Sequence, residues 1–576
     1  MAILGFIGRG RSPQIARPWG FCGVWGVDDP RAAIGRLACE AVWADGRVAL
    51  GGAPVGSDRT GEIVVCGDIV LDNAADLRSL LGLPGAHPAE LIAELIHRSG
   101  VDGCLQAMGM FAGVAYNTRS GELLLFRDAV GGRTMYFAGD AARGCWFASR
   151  LHVLRRAPVV SAELSLSALQ HYLTCAFVPG EQTMWRDARE VAPGTVRTFP
   201  GGHARTFWKP RETEWDSDEP VECSARRLRP LLEDAVQRVL PTTGPVGVFL
   251  SGGLDSSLVT ALANRYTRGE VHTFAVHFGP EHRNELEFST LVADHCGTKH
   301  HVLELRPRTI RDHLLDTAAL LDDPIGDPLT TPNLLLARAA IRETNVVLNG
   351  EGGDPCFGGP KNLPMMLHSL YGRTESCEAA YLRSFQKCYD DLLRLLTPEV
   401  QTALKDERPE MLFGPFFDPN GMSSYLNRLM WINVRLKGAD HILTKVNNLT
   451  TAVGLLAHAP LFDRRIVEMS FGVPPDHKLT GVTEKAVLKR AVADLLPEAI
   501  INRPKSGMLV PVQSWFRKEM KGFARSYLLD RRARTRPYLN QALVREWLDY
   551  QGCTFPRHGV KLWLLLTLEL WLRAQE

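Results

Sequence analysis

The stretch that most limits what this chain can become is an apolar run, Val246-Gly-Val-Phe-Leu250, which passes directly into Ser251-Gly-Gly-Leu-Asp-Ser-Ser257 and then into a helical pattern reaching Tyr266. A buried strand that enters a helix through two glycines leaves successive N–H groups and serine hydroxyls aimed at one anion, which is a phosphate cradle. The lysine of a GxxxxGK loop is missing, and so is the GxGxxG spacing, so neither a Walker-type NTPase nor a dinucleotide fold is indicated. Asp255 inside an anion site makes sense when a cation such as Mg²⁺ bridges it to phosphates. The bland alternative is an ordinary glycine-rich turn.

The pattern around this loop predicts an α/β domain. Strands expected at 271–278, 300–305 and 346–349 alternate with helices at 258–266 and 287–295, which means a parallel sheet with right-handed crossovers. From 375 onward helical signal dominates, most clearly at 426–443, 484–496 and 560–573. The first 205 or so residues read differently, as short strands at 63–66, 110–116, 122–126, 134–137 and 145–148 with helices at 89–98 and 165–174, an α+β mixture. A polar, proline-bearing stretch at 209–220 separates the two, and a helix is expected from about Cys223. The expected division is therefore 1–208, a linker at 209–222, and 223–576.

Charge and composition remove several function classes. Lys+Arg 66 against Asp+Glu 64 leaves +2, so no bulk excess is available to hold nucleic acid. No apolar run approaches the ~20 residues of a spanning helix, and the start lacks a basic signal-peptide region, so a cytoplasmic protein without membrane contact is expected. The helix at 560–573 is read as packed in the protein. The twelve cysteines include no CxxC pair and read as buried thiols rather than a zinc or disulfide framework. His300, His301, His441 and His458 show no metal-ligand spacing and read as surface or core histidines.

Ser251–Ser257 resembles the pyrophosphate loop of the ATP pyrophosphatases, in the version found in asparagine synthetase-like amide ligases. Other segments carry the same resemblance. Thr273-Phe-Ala-Val-His-Phe278 is similar to the strand facing adenine, and Asn284-Glu-Leu-Glu287 to the acidic stretch that follows it. Asn349-Gly-Glu-Gly-Gly-Asp-Pro-Cys-Phe-Gly-Gly359 is similar to the family's GEGGDExFGG, with Pro355 and Cys356 replacing its next two residues. Asp463 ends a run similar to PFLD, while Glu484-Lys-Ala-Val-Leu-Lys-Arg490 and Arg503-Pro-Lys-Ser-Gly507 resemble two basic motifs.

This resemblance implies a PP-loop ATP pyrophosphatase (adenine nucleotide α hydrolase-like) domain with a helical C-terminal half, using ATP and Mg²⁺. It places nucleotide on Leu250, Ser251, Gly252, Gly253, Leu254, Asp255, Ser256, Ser257, Val276, Gly350 and Gly352, and metal on Asp255 and Asp354. Glu351 becomes the candidate base for an amine proton, and Lys505 the group that stabilises the oxyanion and departing phosphate charge. Lys485 is placed near the phosphates, with a solvated, basic helix face as the competing reading. The chemistry implied is activation of a carboxylate as an acyl-adenylate, from which a well-positioned amine displaces AMP.

Arg127-Asp-Ala-Val-Gly-Gly-Arg-Thr-Met-Tyr136 and Phe147-Ala-Ser149 resemble glutaminase-domain segments, implying an N-terminal Ntn-hydrolase-like, class II glutamine amidotransferase-like domain. Glutamine-using members carry a cysteine after the initiator Met; residue 2 here is Ala, and the glutamine-binding NGE segment reads Cys66-Gly-Asp68. Glutamine hydrolysis is therefore not expected, and Cys22 is read as a packed thiol. Members without that cysteine include β-lactam synthetases and lasso peptide cyclases, which use an amine already in the substrate.

The family's KVDR reads Lys445-Val-Asn-Asn448, and its GLExRVPFLD reads Gly454-Leu-Leu-Ala-His-Ala-Pro-Leu-Phe-Asp463, a loss of charge expected to suit aspartate poorly. Glu351 is retained where β-lactam synthetases tend to carry Tyr. Residues 360–421 match no motif; they either widen the site for a peptide or pack only on the core. The leading expectation is a lasso peptide cyclase, a macrolactam synthetase joining the N-terminal amine of a precursor peptide to its Asp or Glu side chain. Its partners would be that peptide and, from the family alone, a leader-recognition protein and a leader peptidase. The alternatives are a β-lactam synthetase-type or ammonia-dependent ligase on a small substrate, and an inactive binding scaffold.

Overall fold

The computed structural model describes residues 2–3, 20–216, 218–359, 362–371, 375–418, 420–481, 483–503, 507–549 and 557–575. In the first half, two six-stranded antiparallel sheets stack face to face. One contains Cys22–Trp25, Ala41–Ala44, Val48–Gly51, Tyr136–Asp140, Gly144–Ala148 and Ala188–Glu190; the other contains Val55–Ser57, Ile63–Leu71, Gly109–Asn117, Leu123–Arg127, Thr195–Phe199 and Ala204–Thr206. Their inner faces interdigitate through Phe21, Leu50, Val64, Val114, Leu125 and Phe147, all buried. Helix Pro88–Ser99 covers one outer face and helix Leu166–Cys175 the other. This helix–sheet–sheet–helix stack is the expected Ntn-hydrolase-like α+β domain. The strands at 22–25, 41–44, 48–51, 55–57, 188–190, 195–199 and 204–206 lie outside the sequence expectation: most are only three or four residues long, too short for an alternation to show, and those at 22–25 and 48–51 are buried throughout.

The second half is built on a six-stranded sheet in the order Ala2–Ile3, Lys299–Glu304, Val271–His277, Val246–Phe249, Val346–Leu348, Leu456–His458, all parallel. Val248 lies between Thr273 and Leu348 in register. The strand order reverses at Val246–Phe249, and a crevice opens at the carboxyl ends of the strands at such a switch point. Three expected helices differ in the structure. The stretch read as one helix at 426–443 is α-helical over Tyr425–Ile432 and π-helical over Asn433–Leu443. The helix expected at 484–496 is only Ala486–Ala491, because Lys485 sits in the left-handed region at φ 56° and stops it from starting earlier. The helix expected from Cys223 begins at Val221.

The stretch read as a linker is fastened down. Glu212 accepts from Ser423 N at 2.6 Å, Ser424 N at 3.1 Å and Asn427 Nδ2 at 2.7 Å, and Trp208 Nε1 donates to Glu468 at 2.6 Å. One apolar cluster runs across both halves, from Tyr172 and Trp185 through Leu334 to Trp563 and Trp571.

The terminal helix His558–Ala574 is sunk in that cluster, and no helix among the described residues is long and apolar enough to cross a membrane. Its one acidic residue, Glu569, is fully buried and accepts from Thr535 N and Thr535 Oγ1, both at 2.9 Å. Trp571 is also fully buried, donates to Leu321 O at 3.2 Å and packs on Trp185 with ring centroids 5.6 Å apart. Trp571→Ala is expected to lower stability by about 3–5 kcal/mol, read as an earlier urea transition by circular dichroism.

Candidate active site

The phosphate-loop residues form the turn between strand Val246–Phe249 and helix Leu254–Tyr266. Gly252 turns through φ 74°, and a Cβ there would lie 2.5 Å from Ser289 N, so only glycine fits. The loop is tied to itself: Ser251 N donates to Ser256 Oγ at 3.2 Å, and the two hydroxyls are 3.1 Å apart. The N-terminal end of the helix borders the same crevice through Gly253, Asp255 and Ser256, giving an anion the positive end of the helix dipole to rest on.

Lys485 enters from the C-terminal half and is 3% exposed. Its Nζ is 2.5 Å from Asp255 Oδ2 and 2.5 Å from Asp354 Oδ1. The solvated-face reading of Lys485 is thus corrected: its backbone stands outside the helix, and its side chain runs inward to two carboxylates. That arrangement also tests the fit of a divalent cation, since the place between Asp255 and Asp354 already draws a positive charge. The glycines after Asn349 let the two segments touch; a Cβ on Gly353 would be 2.3 Å from Asp255 Oδ1.

A cavity of about 300 Å³ opens over this point. Leu250, Ser251, Gly253, Asp255, Ser256, Val276, Gly350, Glu351, Gly352 and Asp354 line it, with Phe274, Ala275 and Leu336 supplying an apolar wall. Three of the residues proposed for nucleotide stand back from it. Gly252 shapes the turn, Leu254 packs toward the sheet's helical layer, and Ser257 is fully buried in the helix. Lys505 lies outside the described residues. The chain on either side of it borders the site: Gly507 and Met508 line the cavity, and Arg503 donates to Gly252 O at 2.9 Å while pairing with Glu285 and lying 3.9 Å over the Phe288 ring.

Opposite the loop, sequence reasoning missed a charged pair. Lys445 Nζ is 2.5 Å from Asp327 Oδ2, and His441 Nε2 is 3.5 Å from the same oxygen. Burial alone would raise the Asp327 pKa, but Lys445 and His441 hold it well below the usual carboxylate range. Burial likewise favours neutral Lys445, and Asp327, then Glu351, outweigh it so that the ammonium persists. Burial pushes His441 down to about 4. The available signal was the run Asp322-Asp323-Pro-Ile-Gly-Asp327-Pro328, three acids fixed by prolines just before helix Thr330–Ala340.

Asn447 and Asn448 do not line the cavity, which corrects the expectation that their lost charge reshapes it. They face the first domain, where Arg133 donates to Asn447 Oδ1 and Arg150 to Asn448 Oδ1, each at 2.5 Å. Arg133 also pairs with Asp68 at 3.1 Å, and Leu151 N and Met184 N donate to Asp322 and Asp323 at 2.8 Å. His458 lies in a separate hollow between the domains with Asp72, Met110 and Phe111. Burial, then nearby Arg133, pushes its imidazole down to about 3.

Residues 227–573 match the model of the asparagine synthase family, and residues 53–208 match that of a glutamine amidotransferase domain. The chain belongs to the asparagine synthase family. It is 25% identical over 561 residues to the glutamine-hydrolyzing asparagine synthetase 1 of Bacillus subtilis (strain 168), spanning 90% of this chain and 87% of that protein. It is 26% identical over 523 residues to a putative asparagine synthetase of Mycobacterium bovis (strain ATCC BAA-935 / AF2122/97), spanning 84% and 79%. Among solved structures, a glutamine phosphoribosylpyrophosphate amidotransferase from B. subtilis aligns with 49% of this chain and 65% of its own at 12% identity, with a TM-score of 0.24. Membership makes the second domain an ATP-dependent, AMP-forming amide ligase of the asparagine synthetase kind.

Gly353→Ala is expected to retain the fold but weaken ATP binding at least about tenfold by calorimetry, because the new methyl displaces the Asp255 carboxylate. His458→Gln tests a pH dependence. The folded imidazole resists protonation down to about 3 while the unfolded one takes a proton near 6.5, so this group stabilises the fold above about 6.5, and that contribution is lost as pH falls toward 3. In thermal melts across that window, the variant is expected to lose less stability on acidification than the parent.

Proposed function

We propose that this chain closes an amide bond within a single substrate, as a lasso peptide cyclase: it activates an Asp or Glu side chain of a precursor peptide with ATP and joins it to the peptide's N-terminal amine. The observation that carries this reading is a complete carboxylate–ammonium–carboxylate centre beside a first domain poorly equipped to release ammonia. Cys22 opens the strand Cys22–Trp25 directly after Phe21, which is fully buried and whose N–H donates to Ser149 Oγ at 3.1 Å, so Cys22 has a peptide bond where a hydrolase needs a free amine. Its thiol is pushed far up, first by the hydrogen bond to Cys39 and then by burial. Asp68, in the segment standing for the glutamine-binding NGE, is already paired with Arg133.

In the ligase half, the Ser251 and Ser256 hydroxyls and the helix N–H groups bind the phosphates, and Phe274, Val276 and Leu336 bind adenine. Mg²⁺ supplies neutralisation of the polyphosphate charge, and Asp255 and Asp354 are the carboxylates to hold it. Lys485 keeps those carboxylates together and adds positive charge where pyrophosphate departs. Glu351, at the cavity wall and within the field of Lys445, takes the amine proton. Lys505 is assigned to the developing oxyanion. Room for a peptide is favoured by the 360–421 segment: Asn362, Met365 and Tyr381 line a small hollow that shares Lys437 with the main cavity. A precursor peptide is the partner this reading requires, with a leader-recognition protein and leader peptidase acting on the same substrate.

Incubation with ATP, Mg²⁺ and a precursor peptide is expected to give AMP, pyrophosphate and a peptide lighter by one water. Asp255→Asn should slow ring closure at least about 100-fold, and Cys22→Ala should leave it unchanged. Pyrophosphate exchange driven by aspartate instead of peptide, or ammonia release from glutamine, would overturn the proposal in favour of a small-substrate or glutamine-dependent ligase. No AMP with any of these would favour a binding scaffold.

A further inference from the structure

We propose that His272, His301 and Glu343 form a binding site for a divalent transition-metal ion of the zinc type, at the end of the parallel sheet remote from the phosphate loop. His272 is the second residue of strand Val271–His277, and the neighbouring strand Lys299–Glu304 sets His301 opposite Phe274. Both imidazoles emerge on one face of the sheet. Their planes differ by 9°, their centroids are 5.2 Å apart, and His272 Nδ1 is 3.0 Å from His301 Nε2. The rings therefore lie edge to edge with two nitrogens facing each other.

Glu343, between helix Thr330–Ala340 and strand Val346–Leu348, brings Oε2 to 3.6 Å from the same His272 Nδ1. One donor atom from each residue lies within 4.8 Å of the others. A tetrahedral ion with metal–nitrogen bonds near 2.0–2.1 Å needs its donors roughly 3.3 Å apart, so binding would replace the His272–His301 hydrogen bond and swing both rings from head-on alignment until their lone pairs converge on one point.

A second observation concerns the far side of the His272 ring. Glu270 Oε2 is 3.7 Å from His272 Nε2 and is itself held by Lys299 Nζ at 2.6 Å. A carboxylate behind the second ring nitrogen is the arrangement that fixes the tautomer of a metal-bound imidazole and raises its basicity. The Glu343 side chain is 33% exposed, which leaves water access to the fourth position. Two imidazoles and one carboxylate suit zinc-type ions; Mg²⁺ prefers an all-oxygen set such as Asp255 with Asp354.

The sequence hid this cluster because its members come from three elements, 29 residues apart for the histidine pair. An ion here ties two neighbouring strands to the turn that starts a third. His301 also stacks on Phe274, with centroids 4.8 Å apart, and the Phe274 ring walls the nucleotide cavity, so the ion stiffens that wall from behind.

The test uses the full-length protein, stripped with a chelator and titrated with Zn²⁺ in excess Mg²⁺ by calorimetry. About one Zn²⁺ per chain is expected, with a raised melting temperature and tetrahedral absorption bands when Co²⁺ replaces it. His301→Gln and Glu343→Gln, both at partly exposed positions and checked for folding by circular dichroism, should abolish this site. Glu270→Gln should weaken it at least about tenfold. Unchanged zinc stoichiometry and affinity in the first two variants, or no zinc bound by the parent, would show a hydrogen-bonded histidine pair and overturn the proposal.

Discussion

Lys485 between Asp255 and Asp354 is the interaction on which the ligase half turns. Two carboxylates from different strand ends, brought against each other by the glycines of the 349–353 turn, repel unless a cation sits between them. The lysine reaches them from a third segment, so one charge cluster fixes the relative placement of the phosphate loop, the Gly-Glu-Gly-Gly-Asp turn and the C-terminal half. Removing Lys485 or Asp255, both largely buried, leaves an uncompensated charge at a cost of about 3–5 kcal/mol, whereas solvent screens part of that cost at the half-exposed Asp354. Such a centre is kept because it holds geometry, and here the geometry is that of a nucleotide crevice at a sheet's switch point.

The first domain acts on this crevice from behind. Helix Thr444–Thr451 carries Lys445 toward the cavity and, on its other side, Asn447 and Asn448 toward Arg133 and Arg150. The same two arginines meet Asp68 and Asp322, and Asp322 begins the turn that ends in Asp327. Through these contacts the first domain sets where the Lys445–Asp327 pair stands. The glutamine amidotransferase-like sandwich therefore has a structural part in shaping the ligase crevice, apart from any chemistry of its own.

Much of the architecture was legible because it is written locally. The Val246–Leu250 run and its glycine turn pointed to the parallel sheet and, with the later motifs, to the family, and the α+β character of the first half followed from short strands interleaved with helices; the switch point needed the strand order. What was hidden depended on backbone geometry or on distance along the chain. The π-helix at Asn433–Leu443 keeps an ordinary apolar pattern, so it read as α. Left-handed Lys485 gave no sign that it leaves its helix. The Lys445–Asp327 pair joins residues 118 apart, and only folding revealed that Asn447 and Asn448 turn away from the cavity. Ser257 belonged to a recognisable motif, yet the helical period points it inward.

The π-helical segment has its own consequence. Each π turn takes one more residue than an α turn, and this segment ends where the Lys445 helix begins. Winding the same eleven residues as α would advance the chain further around the axis and rotate everything downstream, carrying Lys445 off Asp327 and both asparagines off their arginines. The irregular winding therefore works as a phase setting: it decides which way the following helix faces, and with it whether the two domains and the crevice meet in register.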